Sequence, residues 1–408
     1  MIRNALLCAV LSVSGIASAA DQSPMIELRD AVVWCPSDCN AQERVAVEML
    51  IEEVEKRTGI RWPIVHNDIG DIGNAKTFVG VGEAMSPSQS LAKEEAAPAE
   101  GYLVASYKKA DASGVSVGGF DSRGVLFGCG RLLRELRMTR GSVQIPADFL
   151  VATWPAYPIR GHQIGYRAQA NSWDAWTVAQ YEQYIRELTF FGVNSIENIP
   201  FQDDRNSPLM KLPRREMNKA MSDICAKYGL DYWVWTPADF DLNDAKARAA
   251  ALDQHEQLYK DCKELSGVFF PGGDPGDNPP ELVMPFLADV AKRLLPIHPN
   301  ARVWLSLQGF NKEQVQFVRH YLETEAPTWL GGLVAGPSSP PIPELRNWLP
   351  KQYRLRDYPD ITHNKICQYP VPWWDQALAL TLGREAINPR PVQYAYIHNW
   401  FEIGRAHV

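Results

Sequence analysis

From Tyr157 onward, hydrophobic and polar positions follow one repeated order. A short apolar run is followed by a polar loop and then by a segment with apolar positions at helical spacing. The apolar runs predict strands at Ile159–Tyr166, Ser195–Ile199, Asp231–Trp235, Val268–Phe270, Arg302–Leu307 and Leu330–Ala335, with a seventh starting at Asp360–His363. The helical segments are Thr177–Phe191, Arg214–Tyr228, Asp244–Leu265, Pro280–Leu295, Lys312–Glu323, Pro343–Leu349 and Gln376–Arg384. Strand–helix units repeating every ~30–40 residues predict a parallel (β/α)8 barrel, which takes about 250 residues. Seven units fit between residues 155 and 401, so the eighth strand is expected beyond Phe401 and the barrel is expected to be incomplete.

The pattern before Tyr157 is different. A strand-like run at Ala31–Trp34 precedes a helix at Gln42–Thr58, whose apolar face is Val45, Met49, Ile51 and Val54 and whose cap is Gly59. Strands follow at Thr77–Val81, Gly101–Ser106 and Gly114–Gly119, then a helix at Arg123–Leu136. This makes one small α/β domain over residues 25–145. Gln144–Tyr157, punctuated by Pro146 and Pro155, is expected to be a connector. The two ends are set apart from the fold. Arg3, the apolar run Ala5–Ile16 and Ala17-Ser18-Ala19 have the form of a secretory signal over residues 1–19, which places the protein in the periplasm or outside the cell. Residues 402–408 match an in-frame translation of a sequencing-library adapter and are excluded as a scar.

Composition narrows the function. The chain is 408 residues long, 46% hydrophobic and 22% charged, with a net charge of −7 and no basic stripe, which argues against a nucleic-acid partner. After signal removal no segment is long and apolar enough to span a membrane. Thirteen tryptophans are present, and Trp173, Trp176, Trp235, Trp373 and Trp374 fall at strand ends or in loops. Flat aromatic faces stack on the C–H faces of sugars, so a carbohydrate partner is expected. Cys35 and Cys39 are spaced for a small disulfide in an oxidising compartment, whereas Cys129, Cys225, Cys262 and Cys367 sit in apolar contexts as buried thiols.

The stretch that carries most chemistry is Gly267–Asp277. Its apolar run stops at Pro271, and a glycine-rich loop then presents Asp274 and Asp277. Barrel enzymes place their active sites at the C-terminal ends of the strands. Collecting those ends gives Arg160, His162, Gln163 and Tyr166 from the first strand, Glu197 from the second, and Trp235 and Asp239 from the third. Asp274 and Asp277 follow the fourth, Gln308 the fifth, and His363, Tyr369, Trp374 and Asp375 the seventh. Paired carboxylates are what glycoside cleavage requires: one donates a proton to the leaving oxygen, and the other stabilises the oxocarbenium-like centre or orients water. Asp274 is the expected proton-handling group. Glu197 and Asp277 complete the catalytic set, because a glutamate inside an apolar strand is costly unless used or paired. The competing reading of Glu197 is a salt bridge to Arg160. The polar and aromatic residues named around these carboxylates are expected to bind substrate.

Several motifs carry a family resemblance. Lys56-Arg57-Thr58-Gly59, Glu100-Gly101-Tyr102, Ser122-Arg123-Gly124-Val125-Leu126-Phe127-Gly128 and Leu132-Leu133-Arg134-Glu135-Leu136 are similar to the N-terminal accessory domain of β-hexosaminidases and α-glucuronidases. In those glycoside hydrolases this domain packs beside a catalytic (β/α)8 barrel. The barrel segments Arg160-Gly161-His162-Gln163, Pro271–Gly276, Tyr358–His363 and Gln368–Pro372 resemble secreted bacterial proteins of unassigned activity that carry the same accessory domain. In β-hexosaminidases an adjacent Asp-Glu pair follows the fourth strand and the substrate's N-acetyl group acts as nucleophile. Here the acidic residues are Asp274 and Asp277, three apart, so the resemblance does not carry that mechanism over.

The expected function is hydrolysis of a glycosidic bond in a polysaccharide or glycoconjugate, without a cofactor. Gly272–Gly276 is not followed by the Lys and Ser/Thr of a phosphate loop. Two alternatives stay open: a carbohydrate-binding barrel without catalysis, and a divalent-metal hydrolase built on His162, His363 and Asp274.

Overall fold

A computed structural model describes residues 24–66, 75–83, 98–108, 112–164, 176–198, 210–335, 339–357 and 394–396. The signal segment, the helix expected at Gln376–Arg384, Cys367 and residues 402–408 lie outside the described residues.

The chain opens with strands β1 (Met25–Glu27) and β2 (Val32–Trp34) and helix α1 (Ala41–Thr58). Asn40 and Glu43 form a reciprocal capping box at the start of α1, and Gly59 closes it in the left-handed conformation. Next come β3 (Ile64–Val65), β4 (Thr77–Gly82), β5 (Tyr102–Lys108), β6 (Ser113–Gly119) and α2 (Ser122–Glu135). Strands β7 (Arg137–Thr139), β8 (Ser142–Pro146) and β9 (Leu150–Thr153) complete the region. They form a six-stranded sheet in the order β3-β2-β4-β6-β5-β9 and a small antiparallel sheet β1-β8-β7. The proline-punctuated connector is therefore partly strand. Val143 and Ile145 alternate inward on β8, and β9 adds to the open edge of β5, where few ladder bonds are at stake. Cys35 and Cys39 form a disulfide, and Cys129, Cys225 and Cys262 are buried thiols.

The second region is a closed barrel of eight strands. Seven of them are β10 (Ile159–Ile164), β11 (Ser195–Asn198), β12 (Asp231–Trp235), β13 (Gly267–Phe270), β14 (Arg302–Ser306), β15 (Leu330–Ala335) and β16 (Arg354–Asp357). The intervening helices are α3 (Val178–Thr189), α4 (Arg214–Tyr228), α5 (Ala245–Asp261), α6 (Pro280–Leu294), α7 (Lys312–Thr324) and α8 (Ile342–Trp348). The barrel expectation holds, with two corrections. The seventh strand is Arg354–Asp357, upstream of Asp360–His363, which lies outside the described residues. An eighth strand, β17 (Tyr394–Tyr396), lies before Phe401 and pairs with both β10 and β16, so the barrel closes. Arg354-Leu355-Arg356-Asp357 lacks an apolar run, and three residues of β17 are too few to show a period.

An ionic cluster joins the two regions at the N-terminal end of the barrel. Arg160, fully buried, donates to the carbonyls of Gly192 and Tyr157, each at 2.7 Å, and pairs with Glu100. Arg123 of α2 pairs with Glu100 and with Asp231 of β12. Burial pushes the Glu100 carboxyl up, but Arg160 and Arg123 outweigh it and hold it below the usual range. A second junction centres on Glu53 of α1, whose buried carboxylate accepts from Arg57 and Lys56 of its own helix and from Arg186 and Gln183 of α3. Burial opposes ionisation there, yet these four donors bring the carboxyl down to about 2.

A carboxyl held below its unfolded value stabilises the fold above that value and loses the contribution as pH falls. Stability is therefore expected to drop by about 2 kcal/mol between pH 5 and pH 2, after allowing for solvent screening at the half-exposed Lys56 and Arg57. Urea unfolding across that window checks this. Glu53→Gln should flatten the slope, and an unchanged slope would exclude Glu53 as its source.

Candidate functional site

Side chains of a strand alternate between its two faces, so each barrel strand offers half its residues to the interior. The interior cluster is Ile159, Trp233, Trp235, Phe269, Trp304 and Val334. On β10 the alternation turns Gln163 inward, where its amide donates to Glu197. It turns Arg160 and His162 outward. His162 packs edge-on against Tyr184 of α3, with 2.9 Å between its Nε2 and the phenol oxygen. The structure thus separates these two residues from the interior. Arg160 ties the N-terminal end to Glu100, and His162 fills the strand–helix layer.

Glu197 lies inside the barrel and is fully buried. Its partner is Arg356 of β16, at 2.9 Å, and not Arg160. Arg356 is also fully buried, with its guanidinium carbon 5.0 Å from the Trp233 ring centre and 5.2 Å from that of Phe269. The planar cation is thus stacked on aromatic faces as well as ion-paired. Burial is the main influence on the Glu197 carboxyl and pushes it above the usual range, while Arg356 and Gln163 pull it back without reversing the shift. An ion pair with no solvent contact is expensive to build and costly to break singly. Its place in the strands rather than on a loop makes it part of the barrel floor.

Above this floor the loops after β12, β13 and β14 lock together. Asn278 is buried; its side chain accepts from the Leu242 amide at 2.9 Å and donates to the carbonyls of Ala238 and Phe240. The Gly273 amide donates to the Gln308 carbonyl at 2.9 Å. Gly276 has φ +106°, and a Cβ there would lie 1.9 Å from the Ala238 carbonyl oxygen, so only glycine lets the two loops touch. The result is a fixed rim that holds Asp274 and Asp277 open to solvent, with Asp239 exposed on the adjoining loop. The Gln308 amide donates to Asp274 Oδ2 at 2.6 Å and sets the direction of that carboxylate. Gly276→Ala is expected to destabilise the chain by about 2 kcal/mol or more through strain and overpacking, visible as a lower urea midpoint. A wild-type midpoint would show that the loops are not locked.

Gln163 and Glu197 thus meet in the interior, where Trp235 belongs to the apolar cluster, and Asp239, Asp274, Asp277 and Gln308 stand on the C-terminal rim. Tyr166, His363, Tyr369, Trp374 and Asp375 lie outside the described residues. For a metal site, His162 faces α3, and among the described residues no group of three or more His, Cys, Asp or Glu is placed to hold an ion. Arg356 and Asn278 escaped the sequence reading. No local pattern pointed to Arg356, because its partner Glu197 lies 159 residues away in the chain.

A small α/β region followed by a closed eight-stranded barrel, with carboxylates at the C-terminal rim, defines a protein of the TIM-barrel fold. Solved structures are similar over most of this chain. A GH138 enzyme targeting pectin rhamnogalacturonan II superposes with a TM-score of 0.62 at 14% identity, over 91% of this chain and 58% of its own. CpGH84B gives 0.56 at 12%, over 83% of this chain and 60% of its own. The GH20 β-N-acetylhexosaminidase from Streptomyces coelicolor A3(2) gives 0.53 at 12%, over 82% and 72%. The chain therefore spans about three-fifths of the first two. Likeness at this identity shows the fold. No protein-family model and no curated protein matches the sequence. No helix among the described residues is long and apolar enough to cross a membrane.

Proposed function

We propose that the chain is a glycoside hydrolase that cleaves a polysaccharide or glycoconjugate by carboxylate acid/base catalysis at the C-terminal mouth of its barrel. The observation that carries this reading is Asp274: a solvent-open carboxylate on a loop pinned to both neighbours and oriented by the Gln308 amide. Asp274 handles the proton of the leaving oxygen. Asp277, three residues on and equally open, is the second rim carboxylate, facing the oxocarbenium-like centre or its attacking water. Glu197 does not reach solvent, so its part is to position, through Arg356 and Gln163, the floor beneath the sugar. The similar structures include a β-N-acetylhexosaminidase and an enzyme acting on pectin, which supports sugar chemistry on this fold. Export to an oxidising compartment belongs to the same reading and is supported by the Cys35–Cys39 disulfide.

The test is product analysis after incubating the protein with a panel of defined polysaccharides and glycoconjugates. Release of a saccharide that Asp274→Asn abolishes is expected. Saturable binding with no product would make this a binding barrel, and product release stopped by a chelator would make it a metal hydrolase.

A further inference from the structure

Two motifs of the small region, Glu100-Gly101-Tyr102 and Ser122-Arg123-Gly124, meet at the end of the barrel opposite the rim carboxylates, where β10, β11 and β12 begin. The buried Glu100 carboxylate pairs with Arg160, the second residue of β10. It also accepts from the side chain of Asn194, one residue before β11, at 3.0 and 3.1 Å. Arg123 donates to Glu100 at 3.0 Å and to the Gly229 carbonyl at 2.6 Å, and it pairs with Asp231, the first residue of β12. Within the barrel, Asn194 Oδ1 accepts from the Arg160 amide at 2.8 Å. One carboxylate and one guanidinium of the small region thus hold the starts of three consecutive strands.

The backbone that presents Glu100 is held under strain. Glu100 is a non-glycine residue at φ +60°, in the left-handed region, and such strain persists only where the surroundings enforce it. Its N–H donates to Asp121 Oδ2 at 2.8 Å. Helix α2 presses on the same turn, since a Cβ at Gly124 would lie 2.1 Å from the Gly101 carbonyl oxygen. Separating the two regions would take the Glu100 carboxylate away from the buried Arg160, and a buried charge that loses its partner is costly.

Strand β11 depends on such an anchor. It reads Ser-Ile-Glu-Asn, with one apolar residue, so hydrophobic alternation does not fix its register. A slip of one residue would turn Glu197 away from Gln163 and Arg356 and into the helix layer.

We propose that Glu100 and Arg123 form a clamp through which the small region sets the mutual register of β10, β11 and β12, so that Gln163 and Glu197 meet inside the barrel. The small region is then an assembly element of the barrel, and the face that carries the clamp is its docking surface for this chain's own strands. The proposal is independent of catalysis at the mouth.

Hydrogen–deuterium exchange of the full chain, read by mass spectrometry, tests it. Glu100→Gln is expected to speed amide exchange in β10, β11 and β12 by about tenfold or more and to leave β13 to β16 close to the parent. Arg123→Gln should act in the same direction, most strongly at β12. Arg123 is partly exposed, so this variant carries the test if Glu100→Gln does not fold. Val79→Ala is the control: it trims the buried core of the small region's sheet and should loosen that sheet without singling out the three strands. Parent-like protection of the three strands in a folded clamp variant, equal loosening of all the barrel strands, or the same strand-selective pattern in Val79→Ala overturns the proposal.

Discussion

Replacing Arg356 with methionine is expected to lower the unfolding free energy at pH 7 by about 3–5 kcal/mol, the cost of leaving a buried charge without its partner. Methionine keeps much of the volume against Trp233 and Phe269, so the loss reports charge rather than a cavity. Glu197 would then keep the Gln163 amide but lose the cation that opposes the effect of burial. Its carboxyl would rise further. A carboxyl raised above its unfolded value favours the fold below that value, and the advantage is lost as pH climbs through the raised one. The destabilisation of Arg356→Met should therefore be smaller at pH 4 than at pH 7. Adding Glu197→Gln should recover much of the stability at pH 7, because no unpaired charge remains. Urea unfolding of the three proteins at both pH values is the measurement. A single variant as stable as the parent at pH 7 would remove the ion pair from any structural role.

Asp274→Asn is expected to reduce glycoside turnover by about 10²–10⁴-fold, the usual weight of a proton-transfer group. Its fold should be untouched. Asp274 is exposed, and an asparagine carbonyl can still accept from Gln308, so the urea midpoint should stay within about 0.5 kcal/mol of the parent. The pairing of lost turnover with kept stability separates chemistry from packing. Asp277→Asn is the companion test, because asparagine tolerates the left-handed backbone at this position, φ +49°. Full turnover in Asp274→Asn would take the proton-handling role away from it, whatever the fold.

The barrel strands Asp231–Trp235, Val268–Phe270, Arg302–Leu307 and Leu330–Ala335 were legible because strands covered on both faces are nearly continuous apolar runs, and Ile159–Tyr166 and Ser195–Ile199 were legible from their place in the strand–helix repeat. The helices between them showed clear helical spacing, and Arg214–Tyr228 was placed to the residue. The strand Arg354–Asp357 was not legible. Its inward residue is a cation that is acceptable only because Glu197 waits across the barrel, and no local pattern announces a partner 159 residues away. In the candidate site, Asp274, Asp277, Asp239 and Gln308 were legible as strand-end loop residues. Arg160 and His162 were misassigned because a list of strand ends ignores which face each side chain takes.

Local order in the chain was enough to establish a strand–helix repeat, a separate α/β region before it and an acidic, glycine-rich loop after the fourth barrel strand. Those follow from periodicity and backbone freedom, which act between near neighbours. Which charges pair and which faces turn inward came from closure of the sheet. Closure sets residues far apart in sequence side by side at low dielectric, where a charge must find a partner or pay the full cost of losing water.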